Sequence, residues 1–250
     1  MMQKWSLVLI GIFLVLLGGG QGQECAWAEQ QTITTLPCLS GRTVRVKVTT
    51  GEHWQHVMKV AFLKIKAPPQ VAIWIEDREG NYIDTLFVTH KIGKQFWGKQ
   101  PDQDPDKLFR PEALPYWMHK RAARGLPFPT KNDPLPDTVT AASPEEDFAI
   151  QTKIQLDLTE IAVLLEANLS FDMNETYYTN APQGTAVYNR NSGQPALVYR
   201  AEVDLSQPGT YEMELIGHSS PSGEDGKLYK DLSGLSSALH MITNAVVSIE

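Results

Sequence analysis

Short segments of alternating apolar and polar residues, each followed by turn-forming residues, limit what this chain can fold into more than any other feature. In the segment 43–49, three valines at even positions alternate with polar residues at odd positions. Side chains two residues apart lie on the same face of a β-strand. The pattern therefore predicts a strand with one buried face and one exposed face.

A β-hairpin is predicted at residues 71–89. Two apolar segments, 71–76 and 82–89, flank Asp77-Arg78-Glu79-Gly80-Asn81, whose residue types are typical of a tight turn. Ser206-Gln207-Pro208-Gly209 is a second turn sequence. Further segments with strand character are 57–66, 148–156, 161–171, 196–205, 210–218 and 245–249.

Residues 91–147 interrupt this series of strands. They are rich in Pro, Asp and Lys, and the segment is too long for an ordinary connection. Within it, Pro111 suits the first position of a short helix that ends before Gly125. Apolar residues at helical spacing between Leu232 and Ile242 predict a second short helix, with Ser233 as its N-cap.

Many short strands and only two short helices predict a mainly β fold. We expect an antiparallel β-sandwich of the immunoglobulin or fibronectin kind, with residues 91–147 as a long irregular insertion. No internal repeat or domain boundary is visible, so residues 29–250 are predicted to form a single domain.

The first 28 residues have the three-part order of a secretory signal peptide. Lys4 precedes an apolar run from Trp5 to Leu17, and Ala26-Trp27-Ala28 provides small residues before a cleavage site. The apolar run is about 13 residues, shorter than the roughly 20 that a membrane-spanning helix needs. We therefore expect cleavage after Ala28 and a periplasmic or secreted mature chain without stable membrane insertion.

Composition narrows the classes of partner. The chain carries a net charge of −7, and the predicted signal peptide contributes one Lys and one Glu, so the mature chain keeps that charge. An acidic surface lacks the basic footprint that nucleic acids require, which excludes them as expected partners. It also gives no attraction to anionic membranes.

The cysteines constrain the chemistry further. Cys25 raises the alternative of a lipoprotein, which the preceding Gly22-Gln23-Glu24 disfavours. Cleavage after Ala28 would leave Cys38 alone, so a disulfide within the chain is excluded. A single thiol provides neither a redox pair nor a thiolate zinc site, and no cofactor or metal is predicted.

Aromatic and basic residues cluster within residues 91–147 and form the first candidate site. Side chains of these two kinds on a long loop can form the wall of a pocket for an anionic or planar ligand. The alternative is that aromatic rings at 116–117 only cover an open end of the sandwich. The candidate ligand-binding residues are Trp97, Trp117, His119, Arg121 and Arg124.

A second candidate site lies within residues 217–231, which could bind a cation or a polar ligand. The alternative is an ordinary surface turn. Gly217-His218-Ser219-Ser220-Pro221 approaches the G-x-S-x-G nucleophile elbow, but Pro221 replaces the final glycine and a loop follows the serines. The candidate residues are His218, Ser220, Asp225 and Asp231.

The predicted hairpin also resembles a protein family. Residues 71–88 contain VAIWIED, GNY and TLFV, a pattern similar to the hairpin of DUF2271-type proteins, which are uncharacterised bacterial periplasmic proteins. Residues 116–121 resemble the aromatic and basic patch that follows in that family. Residues 136–143 resemble its DAVSGAT stretch, with Thr140-Ala141-Ala142 in place of Ser-Gly-Ala.

The resemblance covers residues 71–157. It implies a β-sandwich-like periplasmic domain that is sometimes found with flavin-transfer or iron-linked redox proteins, and it implies no catalytic residues.

Three functional hypotheses follow. The first is an exported β-sandwich that binds a periplasmic protein or a small ligand as a binding or accessory module without catalytic chemistry of its own. The second is a hydrolase, metal-dependent or using His218, Ser219 or Ser220, and Asp225, which requires these side chains to converge within hydrogen-bond reach. The third is a structural or assembly subunit whose exposed sheet edges pair with partners.

Export gives the first testable prediction. N-terminal sequencing of the protein recovered from the periplasm or the medium is expected to begin at Glu29, because Ala26 and Ala28 occupy the positions that signal peptidase recognises. A lipid-modified N-terminus at Cys25 would support the lipoprotein alternative. A cytoplasmic chain that begins at Met1 or Met2 would contradict export.

Overall fold

A computed structural model describes residues 31–36, 40–60, 63–97, 109–155, 157–190 and 192–250. The predicted signal peptide and Cys38 lie outside the described residues. Within the described ranges, no helix is long and apolar enough to cross a membrane.

Most regular structure in the described part of the chain is β-strand. The strands are β1 (Gln31–Thr34), β2 (Arg42–Thr50), β3 (His56–Val60), β4 (Leu63–Ala67), β5 (Gln70–Glu76), β6 (Tyr82–Thr89), β7 (Thr140–Ala141), β8 (Phe148–Ile154), β9 (Glu160–Asn168), β10 (Leu197–Asp204), β11 (Gly209–Glu212), β12 (Glu214–His218) and β13 (Ile242–Ile249). The helices are α1 (His90–Gly93), α2 (Pro115–Ala123) and a 3₁₀ helix (Ser237–His240).

The strands form two large sheets and one small hairpin. The five-stranded sheet has the order β1-β8-β2-β13-β11, and the six-stranded sheet has the order β12-β10-β9-β5-β6-β7. The remaining strands, β3 and β4, pair with each other. Pairing in the large sheets is antiparallel except for β1 with β8 and β6 with β7, which are parallel.

The main core lies between the two large sheets. Val44, Val46 and Val48 of β2 are fully buried, as their alternation predicts. They belong to one apolar cluster with side chains from the six-stranded sheet, such as Ile73 and Leu165. The mainly β class is therefore confirmed, whereas the closer kinship with immunoglobulin or fibronectin domains stays a prediction.

A second core covers the other face of the six-stranded sheet. Trp74, Leu164 and Val198 on that face pack with Trp117 of α2 and with the residues just before the helix. As a result β5 is buried along its whole length, and β9 is buried except at its first residue. The described part of the predicted insertion thus covers a sheet face, instead of closing an end of the sandwich.

Helix α2 begins later than predicted because its N-terminal cap comes from another part of the chain. Pro115, not Pro111, occupies the first helical position, and the N-cap residue Leu114 has no side-chain cap hydrogen bond. The Glu166 carboxylate on β9 instead accepts the backbone N–H groups of Tyr116 (3.1 Å) and Trp117 (2.8 Å). The helix ends at Ala123, before Gly125, as predicted.

Two further segments differ from the predictions. The segment 210–218 was expected to be one strand, but it divides at Met213, because β11 pairs with β13 in one sheet and β12 pairs with β10 in the other. The segment 57–66, which reads as one apolar stretch, forms the β3–β4 hairpin. Alternation predicts that a segment is extended, but it does not identify the partner strand.

The helix predicted near the C-terminus is only the 3₁₀ turn Ser237–His240. Its N-terminal neighbour Ser236 donates its backbone N–H to Gln194 Oε1 (2.6 Å), and Ser237 Oγ donates to Asp172 Oδ1 (2.6 Å). Ile242 already belongs to β13. The apolar residues at helical spacing therefore serve a turn and a strand.

The cap of α2 gives a prediction about pH. Burial raises the pKa of Glu166 to about 7, although the N–H groups of Trp117 and Tyr116 and the Ser219 hydroxyl oppose the shift. A carboxyl with a raised pKa in the folded state stabilises the fold when it is protonated, and this contribution is lost as the pH rises from about 4.5 to about 7. A rise in the pKa of Glu166 from 4.5 to about 7 corresponds to about 3 kcal/mol of folding free energy.

Urea unfolding of the native protein and of Glu166→Gln at several pH values measures this contribution. The native free energy of unfolding, minus that of the variant, is expected to fall by about 3 kcal/mol between pH 4.5 and pH 7.5. Glu214→Gln, at an exposed position of β12, is the control and should show no such fall. A difference that stays constant with pH would contradict the buried, titrating cap.

Candidate functional site

Trp117 and Arg121 of the first candidate site hold α2 on the sheet. Trp117 is fully buried, and its indole Nε1 donates to Thr85 Oγ1 at 2.9 Å. The Arg121 guanidinium is also buried, and it lies 5.3 Å from the ring centre of Trp117 and 5.9 Å from that of Tyr82. Burial lowers the pKa of Arg121. Neither side chain is placed to meet a ligand from solvent.

Of the other residues of that site, Trp97 packs against the apolar cluster that contains Trp117. Trp97 Nε1 donates to Gln95 Oε1 at 2.7 Å, and the Arg110 guanidinium lies 4.8 Å from the Trp97 ring centre. Arg124 is the exposed C-cap residue of α2. The structure therefore brings Trp97 and Trp117 to one apolar cluster and Arg121 to the Trp117 ring, whereas Arg124 is exposed at the end of the helix.

His119 connects α2 to the segment that holds the second candidate site. Its Nε2 lies 3.3 Å from the carbonyl oxygen of Gly223, and its ring meets Phe128 edge-on at 5.7 Å. A Cβ placed on Gly226 would lie 2.3 Å from His119 Cβ, so the backbone there passes directly against the helix. His119 is thus a packing residue at the back of the second site.

All four residues of the second candidate site line one cleft of about 520 Å³. A cleft of this size is within the range of small-molecule sites. One wall comes from residues 176–188 and the other from residues 218–234. The polar, charged and aromatic side chains that line the cleft include His218, Ser220, Ser222, Glu224, Asp225, Tyr229, Lys230, Asp231, Tyr177 and Tyr188.

The end of β12 positions His218 at the floor of the cleft. His218 and Tyr229 exchange two backbone hydrogen bonds of 2.8 Å each. Gly217 permits this approach, because it has a φ of +149° and an added Cβ would lie 2.4 Å from the Tyr229 carbonyl oxygen. Ser219 N–H then donates to the Ala196 carbonyl at 2.9 Å, which ties the segment to the start of β10.

The His218 ring is held on two sides and open at one nitrogen. It is 5% exposed and stacks on the Tyr229 ring, with 5.4 Å between ring centres and 13° between planes. Its Nδ1 lies 2.8 Å from the Ser219 carbonyl oxygen. Because a carbonyl oxygen only accepts, Nδ1 carries the proton and Nε2 of the neutral ring is an acceptor. Nε2 has no hydrogen-bond partner among the described residues.

The aspartates of the cleft are ionised at neutral pH. Burial opposes a lower pKa for Asp225, but the Lys227 N–H and the Tyr229 hydroxyl, which donate to its carboxylate, outweigh burial and lower that pKa. Backbone and side-chain hydrogen bonds from Ser233 lower the pKa of Asp231. Both aspartates are therefore negatively charged, and Lys227 Nζ, 3.6 Å from Asp225 Oδ2, offsets part of that charge.

The hydroxyl groups do not form a nucleophilic relay. Among the described residues, no hydrogen bond joins the His218 ring to a serine hydroxyl, and Asp225 accepts from Tyr229 instead of orienting His218. Ser219 Oγ donates to the Ala196 carbonyl, and Ser220 Oγ lies 3.4 Å from Ser222 Oγ. In the part of the chain that the structure describes, no group of three or more His, Cys, Asp or Glu residues is placed to hold a metal ion.

The wall formed by residues 176–188 was missed by the sequence analysis. Asn174 joins it to the other wall, since its Oδ1 accepts the N–H of Tyr177 (2.7 Å) and its Nδ2 donates to the Gly234 carbonyl (2.9 Å). The available signal was the tyrosines at 177 and 188 within a segment rich in Asn, Pro and Gly. Aromatic rings in such irregular segments mark binding surfaces as well as cores.

Comparison of the chain with protein-family models, with curated proteins and with solved structures found no match. The resemblance of residues 71–157 to DUF2271-type proteins stays a prediction. The support for the candidate site is therefore the geometry of the cleft.

Replacement of two residues of the first candidate site tests the packing role of Trp117. Trp117→Ala is expected to lower the free energy of unfolding by about 3–5 kcal/mol, because it leaves a cavity under α2 and removes one of the hydrogen bonds of Thr85 Oγ1. Arg124→Ala, on the exposed end of the same helix, should change it by less than about 0.5 kcal/mol. Urea denaturation at constant pH measures both, and a Trp117→Ala protein as stable as Arg124→Ala would contradict the packing role.

Proposed function

We propose that the mature chain is an exported binding or accessory module without catalytic chemistry of its own, and that its ligand site is the cleft lined by His218, Ser220, Asp225 and Asp231. The observation that carries the proposal is the buried His218 ring, whose Nε2 is left without a protein partner at a small-molecule-sized cleft. Nε2 itself is open to solvent, since it is not one of the fully buried polar atoms without a partner in the described residues. An acceptor presented at a cleft on an otherwise buried ring suits a ligand's N–H or O–H donor.

Export is part of the proposal. It is supported by the basic, apolar and small-residue order of residues 1–28, and by the resemblance of the β5–β6 hairpin sequence to a family of periplasmic proteins. A mature chain in that compartment would meet its ligand outside the cytoplasm.

Binding fits the cleft better than hydrolysis does. A serine nucleophile needs a base within hydrogen-bond reach and a third group that orients the base. Here the Nδ1 proton of His218 is held by a backbone carbonyl, and the neighbouring carboxylate of Asp225 is engaged by Tyr229. The same groups suit recognition, since acceptors, carboxylates and aromatic rings converge without an activated nucleophile.

Native mass spectrometry tests the proposal. The mature protein is incubated with the small-molecule fraction of a periplasmic extract and is expected to gain a discrete mass. Ser233→Trp places an indole at an exposed position on the cleft wall and should reduce the bound fraction at least about tenfold.

Ser206→Trp is the matched control, because it makes the same change in an exposed turn outside the cleft. The Ser206→Trp protein should bind like the native chain. A native chain that gains no mass, or a Ser233→Trp protein that gains the same mass to the same extent, would contradict the proposal.

A further inference from the structure

We infer that the cleft binds cationic amines: primary or secondary ammonium groups carried on a flexible alkyl chain. The inference rests on the proposed function, because it assigns a ligand class to the same cleft. Three properties of the cleft carry it: the sign of its charge, the unpaired nitrogen of His218 and the tyrosine rings in its walls.

The charge of the lining favours a cation. Glu224, Asp225 and Asp231 line the cleft, and Lys230 is the one lysine or arginine among the described lining residues. Lys227 Nζ lies 3.6 Å from Asp225 Oδ2, so three carboxylates face two ammonium groups and one negative charge remains in excess. The excess of negative charge repels an anionic ligand and attracts a cationic one.

The hydrogen-bonding capacity of the cleft also favours a donor-rich ligand. Nε2 of the neutral His218 ring can only accept, because Nδ1 holds the proton. Asp231 lines the same cleft as His218, and of its two carboxylate oxygens only Oδ1 accepts a backbone N–H from the described residues. A primary ammonium group has three donors and a secondary one has two, and neither has an acceptor, so both complement an imidazole nitrogen and a carboxylate at once.

The aromatic residues add a third contribution. Tyr177, Tyr188 and Tyr229 line the same cleft as the carboxylates. Cations are attracted to the faces of aromatic rings, and the combination of such rings with carboxylates is a recognised way to bind organic ammonium groups. The volume of about 520 Å³ exceeds what one ammonium group requires, which leaves room for its alkyl chain.

Two sources of this chemistry exist: a free polyamine and a lysine side chain within a peptide. Isothermal titration calorimetry at low ionic strength with spermidine and with Nα-acetyl-lysine amide distinguishes them. 1,4-Butanediol is the neutral probe and glutarate the anionic one. Saturable binding is expected for at least one amine, at least about tenfold tighter than for either control probe.

The variants assign that binding to the cleft. Asp231→Asn removes one charge from an exposed position and should weaken amine binding about tenfold. His218→Phe keeps a ring against Tyr229 but removes the Nε2 acceptor, and should also weaken it. Glu212→Gln, exposed on β11 and outside the cleft, is the matched control for loss of one negative charge and should bind like the native chain. Thermal unfolding confirms that each variant is folded.

The result can overturn the ligand class without overturning the site. If neither amine saturates, if 1,4-butanediol binds equally well, or if Asp231→Asn and Glu212→Gln bind alike, the amine assignment is wrong. In that case a periplasmic-extract ligand that Ser233→Trp still excludes would leave the proposed function in place. If the extract ligand is also insensitive to Ser233→Trp, the cleft is not the site.

Discussion

The carboxylate of Glu166 is the contact on which the outer layer of this protein depends. It is fully buried on the central strand β9, and it accepts the N–H groups of Tyr116 and Trp117 at the start of α2. Those groups have no partner within the helix, and a negative charge near them is favoured by the helix dipole. One side chain thus fixes where α2 begins and joins it to the sheet, at the cost of burying a carboxyl.

A second buried carboxylate holds the other end of the same helix. Glu76 on β5 accepts the Trp74 indole N–H at 2.9 Å and an N–H of Lys120 from α2 at 3.2 Å, and the Arg200 guanidinium lies 3.7 Å away. From the anchored helix, His119 reaches the Gly223 carbonyl in the segment that lines the cleft. The position of the cleft wall therefore follows from the attachment of α2.

Local patterns predicted the strands well and the contacts between distant segments poorly. The valines of β2 and the β5–β6 hairpin follow from alternation and turn residues within a few positions. The start of α2 depends on Glu166, about 50 residues away, and the break at Met213 depends on which strands lie beside it. Neither feature can be predicted from the local sequence.

The candidate sites also show that local sequence patterns predict some features well and contacts between distant segments poorly. Aromatic and basic residues at 116–121 suggested a pocket, but Trp117 packs against the outer face of the six-stranded sheet. The local sequence does not distinguish a tryptophan that packs in this way from one that lines a ligand site. The residues His218, Ser220, Asp225 and Asp231 were predicted as a group from their polarity and do line one cleft. The opposite wall, with Tyr177 and Tyr188, comes from a segment 30 to 54 residues earlier and was not foreseen.

Two-dimensional ¹H–¹⁵N NMR of the mature protein, titrated with the small-molecule fraction of a periplasmic extract, locates ligand binding on the chain without prior choice of a ligand. If the cleft is the ligand site, chemical-shift changes will be concentrated at residues 176–188 and 218–234. The amides of α2 outside the His119 contact will then change little. Changes centred on Trp97, Trp117 and Arg124, with the cleft amides unmoved, would contradict this assignment of the site.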